Sequence, residues 1–206
     1  MIGISYINQG IIEVYAGAML TGKTEEMFLR LKKIKYMPGN NIICFKPSTD
    51  TRNPGYIYSR VLDMRFDAEM IAPGNEKKII ELAKMYGVVG IDEAQFFSDK
   101  LPGVLEYLSR QGKNVLISGL DLDYKGEPFG SMPKIMSIAD YVKKTHGVCT
   151  VPNCGGLGTR TQLLIDGKPA PYSLDSIRPE DNKQKLRNER YELRCLEHHV
   201  VPGKPI

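Results

Sequence analysis

The 206-residue sequence has no tryptophan, only three histidines and only four cysteines. So few cysteines exclude the disulfide-dense frameworks that hold small secreted domains together. The chain also lacks an apolar run of membrane-spanning length, and its N-terminus has no basic segment followed by an apolar stretch. We therefore expect a cytoplasmic protein without a membrane partner.

A strong excess of charge of one sign is absent as well. Lysine and arginine total 28 against 24 for aspartate and glutamate, a net charge of +4. A surplus this small suits a polyphosphate ligand, and no dense basic stripe interleaved with aromatic residues is present, so we expect no nucleic-acid partner. The length suffices for one sizeable core and a small appendage.

What the chain does contain is a phosphate-binding motif. Residues 17–24 read GAMLTGKT and match the Walker A pattern, with a short apolar strand before them and helical periodicity after them. Gly17 and Gly22 let the backbone curl so that N–H groups point at phosphate oxygens, while Lys23 adds a charge and Thr24 a ligand for Mg²⁺. An ordinary glycine-rich turn is the alternative, which the flanking elements disfavour. The residues predicted to bind a nucleoside triphosphate are Gly17, Ala18, Met19, Leu20, Thr21, Gly22, Lys23 and Thr24.

A second motif resembles Walker B. The apolar run 88–91 ends in Asp92 and Glu93, which predicts a buried strand whose carboxylates emerge beside the phosphate loop. Asp92 suits Mg²⁺ binding, and Glu93 could polarise a nucleophile, either water or a substrate hydroxyl. Acidic residues also end many strands for no catalytic reason, so this motif gains its weight from the Walker A match.

Strands and helices alternate along the first two thirds of the chain. We predict strands at 11–15, 41–45, 88–91, 114–118 and 140–146, with helices at 25–31, 75–85 and 101–110. Residues 59–72 are consistent with one or two short strands. The alternation predicts an α/β fold with a mostly parallel sheet whose ligands bind at the carboxyl ends of the strands. The two motifs and the loop starting at Gly119 all follow strands and should converge on one site.

The cysteines favour a metal over disulfides. Cys44 lies in an apolar strand pattern, where a thiol behaves as a small hydrophobe. Cys149, Cys154 and Cys195 fall in the last third, near two adjacent histidines at 198 and 199. From residue 148 onward apolar periodicity is weak, so this segment needs a cross-link, such as a bound metal ion, to stabilise its fold. Thiolates together with an imidazole are typical zinc ligands.

Several motifs, in the same order and spacing, resemble those of type II thymidine kinases, the cytosolic and bacterial type. The run 91–97 (IDEAQFF) is similar to that family's signature, and DTR at 50–52 to its loop after the second strand. GLD at 119–121 with GEPFG at 126–130 resembles its substrate loop, and residues 119–130 are called the substrate loop below. The resemblance extends from residue 11 to residue 199.

This resemblance implies a fold and an activity. The fold would be a RecA-like P-loop kinase core, at residues 1–147, followed by a zinc-binding lasso at 148–206 that closes over the nucleoside. The enzyme would be a kinase that converts ATP and thymidine to ADP and thymidine monophosphate with Mg²⁺. The family also implies feedback inhibition by thymidine triphosphate and a homotetramer.

The resemblance also assigns roles to residues. Glu93 would take the proton from the 5′-hydroxyl, Lys23 would hold the phosphates, and Arg52 would lie beside the transferred group, with Asp50 and Asp92 near the metal. A flat nucleobase is typically bound between apolar and aromatic side chains. Phe97, by contrast, is expected to pack in the hydrophobic core. The residues implied to contact the nucleoside are Met19, Gln95, Phe96, Leu120, Tyr124, Phe129, Thr161 and Tyr191. The implied zinc ligands are Cys149, Cys154, Cys195 and His198.

The chain departs from the family at a few positions. Cys149 and Cys154 are separated by four residues where the family has two, a spacing that tetrahedral Zn²⁺ tolerates. His199 could replace His198, and Tyr124 stands where phenylalanine is usual. The stretch 162–190 is longer than the family's lasso, and its charged run 178–190 is expected to form a solvated flap.

Two rival functions are open at this point. The first is a nucleic-acid-dependent P-loop ATPase whose zinc module grips DNA or RNA. The second is an inactive homologue that acts as a nucleotide-binding regulator, which the intact Lys23, Thr24, Asp92 and Glu93 disfavour.

Overall fold

A computed structural model describes residues 10–36, 41–59, 61–176 and 188–205. Its larger part is a seven-stranded sheet with helices on both faces. The strands are β1 (Ile12–Gly17), β2 (Ile42–Pro47), β3 (Tyr56–Ser59), β4 (Met64–Ile71), β5 (Val88–Ile91), β6 (Asn114–Gly119) and β7 (Tyr141–Thr145). The helices are α1 (Lys23–Lys35), α2 (Lys77–Leu82), α3 (Leu101–Arg110) and α4 (Met132–Ile138).

The sheet is mostly parallel, as predicted. Its strand order is β3-β4-β2-β5-β6-β1-β7, and every neighbouring pair is parallel except β3 with β4. Strand β1 lies between β6 and β7, so the phosphate loop that follows it lies near the loops after both neighbours. The carboxyl ends of β1, β2, β5 and β6 therefore meet at one edge.

Alternating side chains of the central strands divide the core into two layers. Val14 of β1 packs with helices α3 and α4 on one face, whereas Tyr15 packs with α1 on the other. Strand β6 repeats the pattern, with Val115 on the first face and Leu116 on the second. Because both faces are covered by helices, these strands read as continuous apolar runs rather than alternating ones.

Some predicted element boundaries were wrong. Helix α2 covers only Lys77–Leu82 of the predicted 75–85, because its flanks close as single turns with i→i+3 hydrogen bonds, such as Tyr86 N–H to Ala83 O. The prediction of one or two strands within 59–72 is confirmed, since this stretch holds all of β4 and the last residue of β3. Helix α4 was not predicted; its short apolar stripe buries Met132 and Ile135.

The last third forms a separate small sheet. Strands β10 (Arg160–Ile165), β11 (Lys168–Pro169) and β12 (Glu189–Arg194) pair antiparallel, and a two-stranded ribbon joins β8 (Gly147–Val148) to β9 (Leu157–Gly158). Much of the charged run 178–190, predicted to form a flap, lies outside the described residues, and its end belongs to β12. No helix within the described ranges has the length and apolarity needed to cross a membrane.

Candidate functional site

The loop between β1 and α1 has the geometry of an anion cradle. Gly22 caps α1 in the left-handed region with φ +81°, and a Cβ at Gly17 would lie 2.5 Å from the Thr145 carbonyl oxygen. Thr145 also fastens the loop, since its Oγ1 lies 2.6 Å from Thr21 Oγ1. The glycines are therefore required by backbone conformation and by close packing against β7.

Lys23 and Thr24 lie at the first turn of α1 and face the cradle. Lys23 Nζ donates to the Ala18 carbonyl oxygen at 2.7 Å, so the ammonium group is hydrogen-bonded to the phosphate loop. Burial lowers the pKa of Lys23, although the charges of Glu93 and Asp92 oppose this shift. Thr24 Oγ1 donates to Asp92 Oδ1 at 3.3 Å, which brings the two predicted Mg²⁺ ligands together.

Asp92 is a buried carboxyl group. Only 6% of its surface is exposed, and burial raises its pKa to about 6, with the charge of Glu93 acting in the same direction. The hydrogen bond from Ser118 and the charge of Arg52 offset this shift only in part, and a divalent cation would provide the remaining counter-charge.

Glu93 follows Asp92 in a strained conformation. Its φ of +51° lies in the left-handed region, where non-glycine residues cost about 1–3 kcal/mol and concentrate at functional sites. The turn directs its carboxylate to Arg52, with which it forms an ion pair, and to Gln95 Nε2, which donates to Glu93 Oε2 at 2.6 Å. Two donors thus hold the predicted base in one orientation.

A chain of charges connects β2 to this carboxylate. Lys46 Nζ pairs with Asp50 Oδ2 at 2.8 Å, and Arg52 Nε pairs with Asp50 Oδ1 at 2.8 Å. Burial would raise the pKa of Asp50, but the hydrogen bonds from Arg52 and Lys46 outweigh it and hold that pKa below its usual range. Lys46 is only 2% exposed and was missed by the sequence reasoning; a lysine at the end of an apolar strand was its only signal.

Gln95 lies at the junction of the two predicted motifs. Besides its bond to Glu93, its Oε1 accepts the Leu120 N–H at 2.9 Å. A Cβ at Gly130 would lie 2.3 Å from the Gln95 carbonyl oxygen, so the far end of the substrate loop also packs on this residue. Gln95 therefore ties the strand end that carries the predicted base to the substrate loop.

Apolar side chains stand beside these polar groups. Phe96 and Phe129 make an edge-to-face pair with ring centroids 5.6 Å apart, and Leu120 is 9% exposed. Met19 is partly buried, and its N–H donates to Thr161 Oγ1 at 3.0 Å, which brings β10 of the small sheet to the phosphate loop. A mixed wall of aromatic and aliphatic side chains is typical of small-molecule sites. Phe97 lies in the core, as predicted.

The two remaining predicted nucleoside contacts, Tyr124 of the substrate loop and Tyr191 of β12, are associated with the small sheet. Tyr124 is 5% exposed and packs against Leu163 and Ala170, with its hydroxyl on backbone carbonyls of residues 171 and 174. Tyr191 lies on β12 opposite Leu163 and is 37% exposed.

The three late cysteines and His198 form one cluster. Their ligand atoms all lie within 4.8 Å of one another, with Sγ atoms of Cys154 and Cys195 3.8 Å apart and each within 3.3 Å of His198 Nδ1. Burial would raise the pKa of Cys149, yet backbone N–H groups outweigh it and lower that pKa to about 6, so its thiolate forms readily. This donor set could hold a tetrahedral metal ion.

The other titratable candidates are placed elsewhere. His199 Nε2 lies 2.8 Å from the Tyr124 carbonyl oxygen, so it makes a structural contact rather than joining the cysteines. His146 is exposed. Cys44 is buried in β2, and burial raises the pKa of its thiol to about 12.

Comparisons with known proteins identify relatives over nearly the whole chain. A family model described as thymidine kinase matches residues 10–199. A thymidine kinase of Coprothermobacter proteolyticus is 42% identical over 197 residues, which cover 96% of this chain and 94% of that protein. One of Mycoplasmoides gallisepticum is 37% identical over 197 residues, covering 96% of this chain and 84% of the relative.

Among solved structures, the ATPase DotB of Legionella pneumophila is similar over 71% of this chain and 44% of its own, with 11% identity and a TM-score of 0.42. A likeness this low bears on neither fold nor function. The family model and the two relatives, by contrast, span nearly the whole chain. The chain therefore belongs to the thymidine kinase family and is an ATP-dependent phosphotransferase.

Proposed function

We propose that this enzyme transfers the γ-phosphoryl group of ATP to the 5′-hydroxyl of thymidine, giving thymidine monophosphate and ADP. The observation that carries this proposal is the placement of Glu93. Its carboxylate stands at the edge of the sheet where the phosphate loop, Arg52 and the substrate loop meet, bonded directly to Arg52 and Gln95.

The phosphate loop would bind the triphosphate. Backbone N–H groups of residues 17–24 would cradle the phosphates, and Lys23 would leave the Ala18 carbonyl oxygen to pair with β- and γ-phosphate oxygens. Thr24 and Asp92 would hold Mg²⁺, which neutralises charge on the phosphates during transfer. The buried Asp92 carboxyl is suited to this task because the cation would supply its missing counter-charge.

Glu93 would act as general base. It is paired with Arg52, whose pKa is raised because the charges of Glu93 and Asp50 outweigh the effect of burial. The approach of the γ-phosphoryl group would offer Arg52 a stronger anion, so that its guanidinium moves to the equatorial oxygens and Glu93 becomes free to accept the 5′-hydroxyl proton. Release of the general base would thus depend on bound ATP.

The nucleoside would bind between the substrate loop and the small sheet. Phe96, Phe129, Leu120 and Met19 supply apolar surface beside Glu93, which suits a flat pyrimidine placed with its sugar hydroxyl toward the base. We also propose that Thr161 and Tyr191 contact thymidine, because the resemblance to thymidine kinases assigns them this role.

A nucleoside panel tests the proposed function. We expect thymidine and deoxyuridine to stimulate ATP consumption in the presence of Mg²⁺, and deoxycytidine and purine nucleosides to do so weakly or not at all. Stimulation by single-stranded DNA instead of thymidine would favour a nucleic-acid-dependent ATPase. Nucleotide binding without any turnover would favour a regulator.

We also propose that the cluster of three cysteines and His198 holds a structural zinc ion. With Zn–S distances near 2.3 Å, a tetrahedral site separates its sulfur atoms by roughly 3.8 Å. Cys154 and Cys195 match this separation, with 3.8 Å between their Sγ atoms. A buried disulfide is the alternative pairing, but the described cysteines are all free.

Removal of the metal is expected to loosen the small sheet. We predict one zinc per chain by elemental analysis of protein purified without chelator. Cys195→Ser should lower that stoichiometry and raise the KM for thymidine more than the KM for ATP, because the phosphate loop belongs to the large sheet. Cys44→Ser is the matched control, since Cys44 is buried in β2 away from the cluster. Zinc content near zero in the wild-type protein would refute the site.

Other family properties remain proposals. These are the division into a kinase core at 1–147 and a lasso at 148–206, feedback inhibition by thymidine triphosphate, a homotetramer and a cytoplasmic location. Sedimentation of the purified protein and titration with thymidine triphosphate would test the assembly and the inhibition.

A further inference from the structure

The substrate loop is a compact hairpin organised by Asp123. The Asp123 N–H donates to the Glu127 carbonyl oxygen at 2.9 Å, and its Oδ1 accepts the N–H groups of Lys125 and Glu127 at 2.8 and 2.9 Å. Gly126 makes the turn with φ +74°. Because the loop satisfies much of its own backbone, it behaves as one rigid unit.

Residues 170–176, called the arm below, leave β11 and run against this hairpin. The Ala170 N–H donates to the Leu163 carbonyl oxygen at 3.0 Å, and the Tyr172 N–H donates to the Pro202 carbonyl oxygen at 2.9 Å. The start of the arm is therefore anchored in the small sheet. Its attachment to the substrate loop depends on side chains.

Tyr124 makes the central attachment. Its ring fills an apolar cluster with Leu163 and Ala170. Its hydroxyl lies 2.9 Å from the Pro171 carbonyl oxygen and 2.7 Å from the Leu174 carbonyl oxygen, and its single proton is shared between these two acceptors. A phenylalanine would fill the same space but would leave these carbonyl oxygens without this donor.

Two further side-chain bonds follow the same seam. Ser176 Oγ donates to Asp123 Oδ2, and Tyr172 OH donates to Glu127 Oε1 at 2.7 Å. The Lys125 ammonium lies 4.7 Å above the centre of the Tyr172 ring. These contacts and the Tyr124 hydroxyl form a clasp between loop and arm.

On the side of the substrate loop, the clasp is connected to Glu93, the proposed general base. Leu120, which opens the substrate loop, is hydrogen-bonded to Gln95, and Gln95 is hydrogen-bonded to Glu93. The arm end belongs to the small sheet, which reaches the phosphate loop through Thr161. The clasp therefore fixes the position of the small sheet relative to Glu93 and to the phosphate loop.

We propose that Tyr124 is a positioning residue whose hydroxyl holds the arm on the substrate loop, so that the nucleoside meets an assembled site. This inference rests on the proposed function. Without the hydroxyl the arm is attached for a smaller fraction of the time, and the apparent affinity for nucleoside falls by that fraction. Once the nucleoside is bound, the assembled site is the same, so the effect falls on KM rather than kcat.

The test compares Tyr124→Phe with Tyr15→Phe in the full-length protein. Tyr15 is also a buried tyrosine with a hydrogen-bonded hydroxyl, donated to Glu13 at 3.0 Å, but it lies in β1 away from the clasp. We expect Tyr124→Phe to raise the KM for thymidine about fivefold, the effect of losing one hydrogen bond between the loop and the arm, with the KM for ATP and kcat changed less than twofold. Tyr15→Phe should change neither KM.

Ser176→Ala tests the clasp independently, because it removes a different hydrogen bond between the arm and the substrate loop. It removes a bond from the arm side without altering the substrate loop, and we expect a smaller rise in the KM for thymidine. The double variant should raise it by less than the product of the two single effects, because both cut one clasp. A purely structural role of Tyr124 would instead lower the active fraction, and kcat with it, at constant KM.

Amide hydrogen exchange separates failure of the clasp from failure of the proposed function. In the ligand-free protein, Tyr124→Phe should speed exchange in residues 170–176 more than Tyr15→Phe does, whatever the substrate is. If the wild-type protein phosphorylates thymidine while Tyr124→Phe keeps both its KM and its exchange pattern, the clasp is wrong. If the wild-type protein phosphorylates no nucleoside, the proposed function is wrong, and exchange alone decides the clasp.

Discussion

Glu93→Gln is expected to lower kcat for thymidine phosphorylation by about 10²–10⁴-fold, the usual contribution of general-base catalysis. Glutamine retains the size of the side chain and an oxygen that can accept from Arg52, but it cannot take the 5′-hydroxyl proton. Nucleotide affinity should hardly change, because Lys23, Thr24 and the loop backbone carry phosphate binding. Single-turnover kinetics with saturating ATP would measure the chemical step directly.

Lys23→Ala is the comparison that separates the two roles. It removes the charge next to the phosphates, so it should weaken ATP binding and slow transfer together. A Glu93→Gln variant that keeps near-full activity, with chemistry shown to be rate-limiting, would exclude Glu93 as the base.

Asp92→Asn is expected to make the ligand-free protein more stable while reducing its activity about 10–100-fold. The gain in stability follows from burial, which raises the pKa of Asp92 to about 6 and so disfavours its charged form in the folded state. The loss of activity follows from the weaker hold on Mg²⁺ by a neutral amide, for which metal-site substitutions set the scale of about 10–100-fold. Calorimetry and Mg²⁺ titration of activity would measure the two effects.

The contribution of Asp92 to the free energy of unfolding depends on pH, and the direction of its pKa shift determines whether that contribution is stabilising or destabilising. An ordinary aspartate has a pKa near 3.8, so between pH 4 and 6 the folded protein binds more protons at Asp92 than the unfolded chain does. Its destabilising effect is therefore absent below about pH 4, grows as pH rises to about 6, and is complete above that.

At pH 7.5, Asp92→Asn should raise Tm by several degrees, and by clearly less at pH 5. Asp99→Asn is the matched control, because Asp99 is exposed and should leave Tm unchanged at both values. An Asp92→Asn variant with a lower Tm at pH 7.5 would contradict the account of a buried, uncompensated carboxylate.

Local patterns accounted for much of the site. The phosphate loop, Asp92 and Glu93 were predictable because each follows an apolar strand, and parallel strands bring their carboxyl ends to one edge. The cluster of Cys149, Cys154 and Cys195 was also expected from spacing and chemistry. Helix α4 was missed because its seven residues carry too few apolar positions to stand out from the loop before it.

The partners of individual polar groups could not be predicted. Lysine is usually a surface residue, yet Lys46 is buried, with its ammonium group on the Asp50 carboxylate and the Asn53 carbonyl oxygen. Gln95 is predicted as a nucleoside contact, and its bonds to Glu93 and to the Leu120 N–H had no signal in the sequence. Hydrogen bonds between segments far apart in sequence depend on how elements pack, which periodicity does not encode.

The sequence alone determined that this chain is an α/β nucleotide-binding protein with a cysteine-rich appendage and the motifs of a thymidine kinase. These properties follow from short-range patterns: strand, turn and helix in order, and donor residues at ligand spacing. Only the tertiary structure decided that His198 rather than His199 joins the cysteines, and that the Tyr124 hydroxyl meets the arm. Two adjacent histidines, or a tyrosine in place of a phenylalanine, differ in role only through the direction in which the folded backbone points each side chain.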